Sequence, residues 1–117
     1  MLYIYNMSSD PLDRVFKALA DSRRRKILDL LKKEPRTTGD LVDHFAAELD
    51  RCTVMQHLGV LERAGLVIAK KRGRHRWNYL DPLPIKQIHD RWISPYAVGA
   101  VELLARLKHD LEHDSGD

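Results

Sequence analysis

One cysteine, Cys52, stands in 117 residues, so no disulfide framework forms within the chain. No apolar run approaches the roughly 20 residues that span a bilayer. The opening "MLYIYNM" is too short for a signal peptide and lacks its basic start. No internal repeat or low-complexity linker appears. No Ser/His/Asp set, carboxylate pair or Gly-rich phosphate loop occurs in a plausible context, which argues against an enzyme. These absences lead us to expect a cytoplasmic protein with no catalytic residues, no cofactor and no membrane partner. One further absence is local: residues 63 to 80 contain no Asp or Glu.

What fills that stretch is basic: Arg63, Lys70, Lys71, Arg72, Arg74 and Arg76. Residues 23 to 36 add Arg23, Arg24, Arg25, Lys26, Lys32, Lys33 and Arg36, whereas the tail from Asp110 is acidic. The net charge of +3 is too small to name a partner. The clustering suggests a polyanion-binding side, and a solvated charged face is the plainer alternative.

Periodicity orders the chain. Asp10 caps a first helix with Pro11 at its first position, and Leu12, Val15, Phe16 and Leu19 line one face. A second helix turns Ile27, Leu30 and Leu31 inward and stops at Pro35. Thr37, with Asp40 three residues on, has the spacing of a capping box for a third helix, whose stripe is Leu41, Val42, Phe45 and Leu49. Asp50 caps a fourth, ended by Gly65. Residues 66 to 72 and 76 to 80 then read as a β-hairpin with a basic tip. Asp81 and Pro82 open another helix carrying Ile85, Ile88 and Trp92, with a kink or restart at Ser94 and Pro95. The last helix carries Ala100, Leu103, Leu104, Leu107 and Leu111.

The fourth helix is divided. Val54, Leu58, Leu61 and Ala64 recur with helical period and form a core face. The opposite face holds Cys52, Gln56, Gly59 and Arg63, with Arg51 and Met55 at its edge. That face is short and able to hydrogen bond, and a major groove about 12 Å wide admits one such helix. Two helices followed by a basic hairpin predict a winged helix-turn-helix: mostly α, with five or six helices and a two-stranded wing. Gln56 would read adenine and Arg51 guanine or phosphate, while Cys52 and Met55 would meet thymine methyls. Arg74 or His75 would lie at the minor groove, with Lys71, Arg72 and Arg76 on phosphates. The expected organisation is an extension over 1–9, the DNA-binding part over 10–93, a dimerisation helix over 94–114 of the same domain, and a tail over 115–117.

"ALADSRRRKILDLL" and "RCTVMQHLGVLERAGLV" resemble the second-helix and recognition-helix signatures of the ArsR/SmtB family of winged-helix repressors, and the likeness runs over about residues 10 to 112. The resemblance implies a homodimer built on the first and last helices, around Leu12, Val15, Phe16, Ala100, Leu103, Leu104, Leu107 and Leu111. It implies repression from a palindromic operator in double-stranded DNA. It also carries DNA contact to Arg51, Thr53, Met55, Gln56 and the wing. Asp50 stands where the family usually has a capping Ser, Cys52 where Pro is common, and Met55 where Ser is frequent.

Three readings stay open beside this one. His57 points inward as a packed, hydrogen-bonded side chain, or else serves a phosphate contact or a pH effect. His109 and His113 have a spacing that can hold zinc, but on an acidic tail they read as polar surface, and no metal site is expected. Cys52 sits where a helix N-terminus lowers a thiol pKa, which leaves its oxidation open. No effector is named by any motif. The alternative function is a winged-helix protein-interaction module, which would need several large apolar anchors on the fourth helix, where only Met55 stands.

Overall fold

The computed structural model describes residues 10–95 and 98–114. The expected extension, the tail and Tyr96 lie outside the described residues. Among those residues there are six helices and a three-stranded antiparallel sheet. The order is α1 (Pro11–Leu19), α2 (Ser22–Lys33), β1 (Arg36–Thr37), α3 (Thr38–His44), α4 (Arg51–Arg63), β2 (Val67–Arg72), β3 (His75–Leu80), α5 (Leu83–Trp92) and α6 (Val98–Asp114). They form two compact units divided between Pro84 and Ile85.

Local chemistry sets the helix starts. Asp10 accepts from the Leu12 N–H at 2.9 Å, Thr37 Oγ1 from Asp40 at 3.1 Å and Asp50 Oδ1 from Thr53 at 2.7 Å. Each satisfies a donor the helix leaves orphaned. Asp50 thus serves as the cap without a serine. The Thr53 N–H and hydroxyl hold its carboxyl below the usual range. α4 stops in a Schellman turn: Leu66 N–H bonds Leu61 O and Gly65 N–H bonds Glu62 O, both at 2.9 Å, with Gly65 at φ +78°. α3 is shorter than expected. It ends at His44, and Phe45 caps it and turns into the core.

Residues Arg23 to Arg25 correct the reading of a basic surface. α1 and α2 are joined by only Ala20 and Asp21, which leaves the last carbonyls of α1 to be satisfied from α2. Arg24 Nε donates to Ala18 O at 2.8 Å and its Nη2 to Lys17 O at 3.0 Å. Arg25 Nη1 donates to Leu19 O at 2.7 Å. Cations at a helix C-terminus also meet the negative end of its dipole. Arg23 binds its own cap residue, Asp21, through Nη2 to Oδ2 at 3.2 Å. That guanidinium, with the Arg23 and Arg24 N–H groups, holds the Asp21 carboxyl far below its ordinary range.

The core of the first unit comes from Ile27, Leu41, Val54, Leu58, Leu61 and Leu66, each 2% exposed or less. Truncating one such leucine to alanine costs about 2–5 kcal/mol. Val15 belongs to this core at 5% exposure, so it offers no surface to a partner as expected of it, while Phe16 beside it is 44% exposed. Leu28, absent from the expected inward set, is buried as well.

The hairpin runs in register from Val67↔Leu80 to Arg72↔His75, turning at Gly73 with φ +61°. The two-stranded wing gains a short third strand at its base, because Arg36 and Thr37 pair with Asn78 and Trp77 on the other edge of β3. Asn78 explains the attachment. It is fully buried, and its Nδ2 donates to Arg36 O at 3.2 Å and Thr38 Oγ1 at 3.1 Å.

In the second unit α6 carries an apolar row with Leu103, Leu104, Leu107 and Leu111 between 52% and 63% exposed. Ser94 and Pro95 lie in the turn after α5. No described helix is long and apolar enough to cross a membrane.

His57 faces inward and is 8% exposed. Its Nδ1 lies 3.2 Å from Arg24 Nη1, so it accepts and the proton sits on Nε2, which has no partner among the described residues. Burial lowers its pKa from 6.5; the Asp21 carboxylate opposes that shift, and Arg23 and Arg24 reinforce it. Above pH 6.5 the imidazole is neutral in both folded and unfolded chains. Below it the unfolded chain takes a proton that the fold resists, so stability falls as pH falls. Urea melts should lose stability between pH 6.5 and 5, with this one group contributing no more than about 1.4 kcal/mol per pH unit. His57→Gln should remove that slope. The lowered carboxylates Asp21 and Asp50 titrate further into acid and leave this window clear. An unchanged slope in His57→Gln would contradict the assignment.

Candidate nucleic-acid interface

With Val54, Leu58 and Leu61 fixed in the core, the opposite face of α4 must point outward. Arg51, Cys52, Met55, Gln56 and Arg63 are all exposed there, and Gly59 is half-buried among them. Thr53 differs from its expected role. It is half-buried, and its N–H and hydroxyl serve the Asp50 cap. Cys52 is a free, exposed thiol in the first turn.

The structure brings α4 and the wing to one place. Arg51 and Met55 face Arg74, His75 and Arg76 across a cleft of about 320 Å³, floored by Thr37, Thr38 and Gly39 at the start of α3. Three cations and a histidine thus surround the space between a short-side-chain helix face and a hairpin tip. Such a surface recruits a polyanion.

The remaining wing residues separate. Register puts Lys71 opposite Arg76 and Arg72 opposite His75, and opposed residues share a sheet face. Arg72 therefore leaves the face of Lys71 and lines another cleft with Glu34, Pro35, Asp40, Trp77 and Tyr79. Arg76 is engaged from within the fold: its Nη2 donates to Glu62 Oε1 on α4. Among the described residues Arg51, Lys71, Arg72 and Arg74 carry no ion pair. The sequence reading put Arg63 on the outer face of the helix but missed Glu62 and the way Arg63 lies back over Gly59. Glu62 was hidden because its partner is fourteen residues away, whereas the i,i+4 spacing of Gly59 and Arg63 was available.

A family model described as a helix-turn-helix domain matches residues 19–68. The uncharacterized helix-turn-helix-type transcriptional regulator YuzN of Bacillus subtilis (strain 168) is 37% identical over 87 residues, covering 70% of this chain and 95% of that one. The arsenical resistance operon repressor of Staphylococcus aureus is 35% identical over 75 residues, 64% of this chain and 70% of that one, and the chain belongs to the ArsR family of helix-turn-helix transcriptional regulators. The transcriptional repressor SdpR of Bacillus subtilis (strain 168) is 38% identical over 63 residues, 54% of this chain and 68% of that one. The solution structure of the homodimeric winged helix-turn-helix DNA-binding domain Mb0332 of Mycobacterium bovis, a possible ArsR-family regulator, superposes with a TM-score of 0.59. It is 28% identical and covers 89% of this chain and 84% of that one. This ArsR-family chain is a DNA-binding transcriptional regulator with a winged helix, and its family is not one of enzymes.

Gly59 supplies a test of the groove-facing helix. A Cβ there would stand 3.3 Å from Arg63 Nη1, the far end of a flexible side chain, because that guanidinium lies back over the glycine. Gly59→Ala should therefore stabilise the fold by about 0.5–1 kcal/mol through helix propensity. On the expectation that α4 enters the groove, the added methyl meets the groove floor, so affinity for a selected DNA site should drop while the melting temperature rises. Thermal melts and band shifts on one preparation read both. A rise in stability with unchanged affinity would show that this part of α4 stays clear of the bases.

Proposed function

We propose that the chain is a homodimeric repressor that reads the two halves of a palindromic operator with two copies of α4. The observation that carries this is the cleft itself: an outward helix face with Gln56 beside Arg51 and Met55, next to a basic wing tip. In such a dimer the reading helices stand roughly 34 Å apart, one turn of B-DNA. Gln56 forms the base contact, bidentate to adenine. Arg51, Lys71 and Arg74 work through phosphates and groove potential, and His75 extends the tip. Bound at a promoter, the dimer excludes polymerase. It works in the cytoplasm, where the chromosome is.

Dimerisation is supported by the α6 row. Ala100, Leu103, Leu104, Leu107 and Leu111 are all exposed on the single chain, as is Phe16 on α1, with Leu12 half-buried beside it. A contiguous apolar row of this length is ordinarily covered by a partner. Leu104→Glu should give monomers in sedimentation at micromolar concentration, with DNA affinity reduced because each monomer holds one half-site. A wild-type chain that sediments as a monomer at that concentration would remove this part of the proposal.

Base reading and positioning differ in their salt response. Gln56→Ala should cost about 1–3 kcal/mol per half-site on a duplex selected by the wild-type protein from a random pool, and nothing on random duplex. Its slope of log K against log salt should barely change. Arg74→Ala should weaken both duplexes alike and flatten the slope by about one unit per lost contact, about two for a dimer. Equal losses on both duplexes for Gln56→Ala would mean that α4 does not read sequence.

A further inference from the structure

Arg76 sits at a particular point of the wing. β1 supports β3 only at Trp77 and Asn78. Arg76 is the first residue beyond that support toward the tip, where the hairpin is paired only with itself. At that point its guanidinium crosses to α4 and donates to Glu62. Both side chains are partly withdrawn from water, Arg76 at 39% and Glu62 at 29% exposure, and Arg76 Nε is buried without a partner among the described residues. Arg76 also stands directly across the ladder from Lys71. Like charges in that position repel, and the Glu62 carboxylate offsets them. Arg76 nevertheless lines the cleft between α4 and the tip.

We infer that Glu62 and Arg76 brace the wing against α4 and act as positioning residues for DNA binding, not as a phosphate contact. The inference rests on the proposal that α4 and the wing engage one duplex. For both to do so the distance between the helix face and the tip must suit the spacing of adjacent grooves. A hairpin tip with no other strand beside it would sample many such distances. The ion pair selects one of them from within the fold. Arg76 already faces a carboxylate, so its charge is compensated and it contributes little to counterion release.

The test uses the full chain, the duplex selected by the wild-type protein from a random pool, and a random duplex. Arg76→Ala and Glu62→Gln should each weaken the selected duplex by about tenfold, with the salt slope unchanged. The double variant should be no weaker than either single. The charge swap, Glu62→Arg with Arg76→Glu, should recover to within about threefold of wild type. A phosphate contact gives the opposite pattern: Arg76→Ala flattens the slope by about two units per dimer, Glu62→Gln tightens both duplexes, and the swap is the worst variant of all. Either that pattern or a swap that fails to recover overturns the brace. Amide exchange in the free protein provides a second arm. Residues 72 to 76 should exchange faster in Glu62→Gln and return to the wild-type rate in the swap, and unchanged exchange overturns the inference. If the wild-type protein selects no duplex over random, operator reading fails, while the exchange arm still decides the brace.

Discussion

The guanidinium of Arg24 directs its donors to two backbone carbonyls of α1 and to one imidazole nitrogen of α4. A planar fork fixes its acceptors relative to one another in a way a lysine ammonium does not. The tight α1–α2 corner uses those donors, since the last carbonyls of α1 have no partner within their own helix. His57 needs one as well, because it is buried beside Leu58. One side chain thus closes the corner and fixes the rotation of α4 about its axis. That rotation matters, because successive residues on a helix are 100° apart. Turning α4 by one residue would bury Gln56 or Met55 and draw Val54 out of the core.

The outward face of α4 is therefore defined from inside. Val54, Leu58 and Leu61 are at most 2% exposed, so the residues left for a partner are those the core rejects. Gln56 and Met55 do not themselves determine where they point. The caps have a similar indirect role. Asp50 starts the helix so that Arg51 and Cys52 lie in its first turn, and Gly65 turns the chain straight into β2. The wing follows α4 with almost no slack, which is why Arg51 and Arg74 can border one cleft.

What was legible in the sequence was local. Asp10, Thr37, Asp50 and Gly65 act on backbone groups within a few residues, and their chemistry is written in the residue types and spacing. The core stripe of α4 was legible for the same reason. What was hidden is long-range. β1 has two residues, too few to show a period, and it exists because Asn78, more than forty positions away, bonds Arg36 and Thr38. Arg23 to Arg25 looked like a charged face, because a sequence does not show that a helix C-terminus lies against them. Val15 fitted an apolar stripe, but the stripe did not say which of its members meets the core and which meets solvent. At the candidate site, the outward helix face was readable, whereas the parting of Arg72 from Lys71 and the pairing of Arg76 with Glu62 needed the strand register and the position of Glu62.

These placements change the meaning of the charge. Two groups of basic residues differ in what they face. Arg23, Arg24, Arg25 and Arg76 face carbonyls, an imidazole or carboxylates of their own chain. Arg51, Lys71 and Arg74 carry no ion pair among the described residues, and Arg51 and Arg74 line the cleft between helix and hairpin. The acid-free stretch of 63 to 80 begins immediately after Glu62, and Glu62 pairs with an arginine inside it. The placement of that carboxylate follows from its work. Were it at the tip it would repel phosphate, and were it absent Lys71 and Arg76 would face each other unscreened. Set back on the inner flank of α4, it stabilises the base of a cationic hairpin while leaving the tip positive.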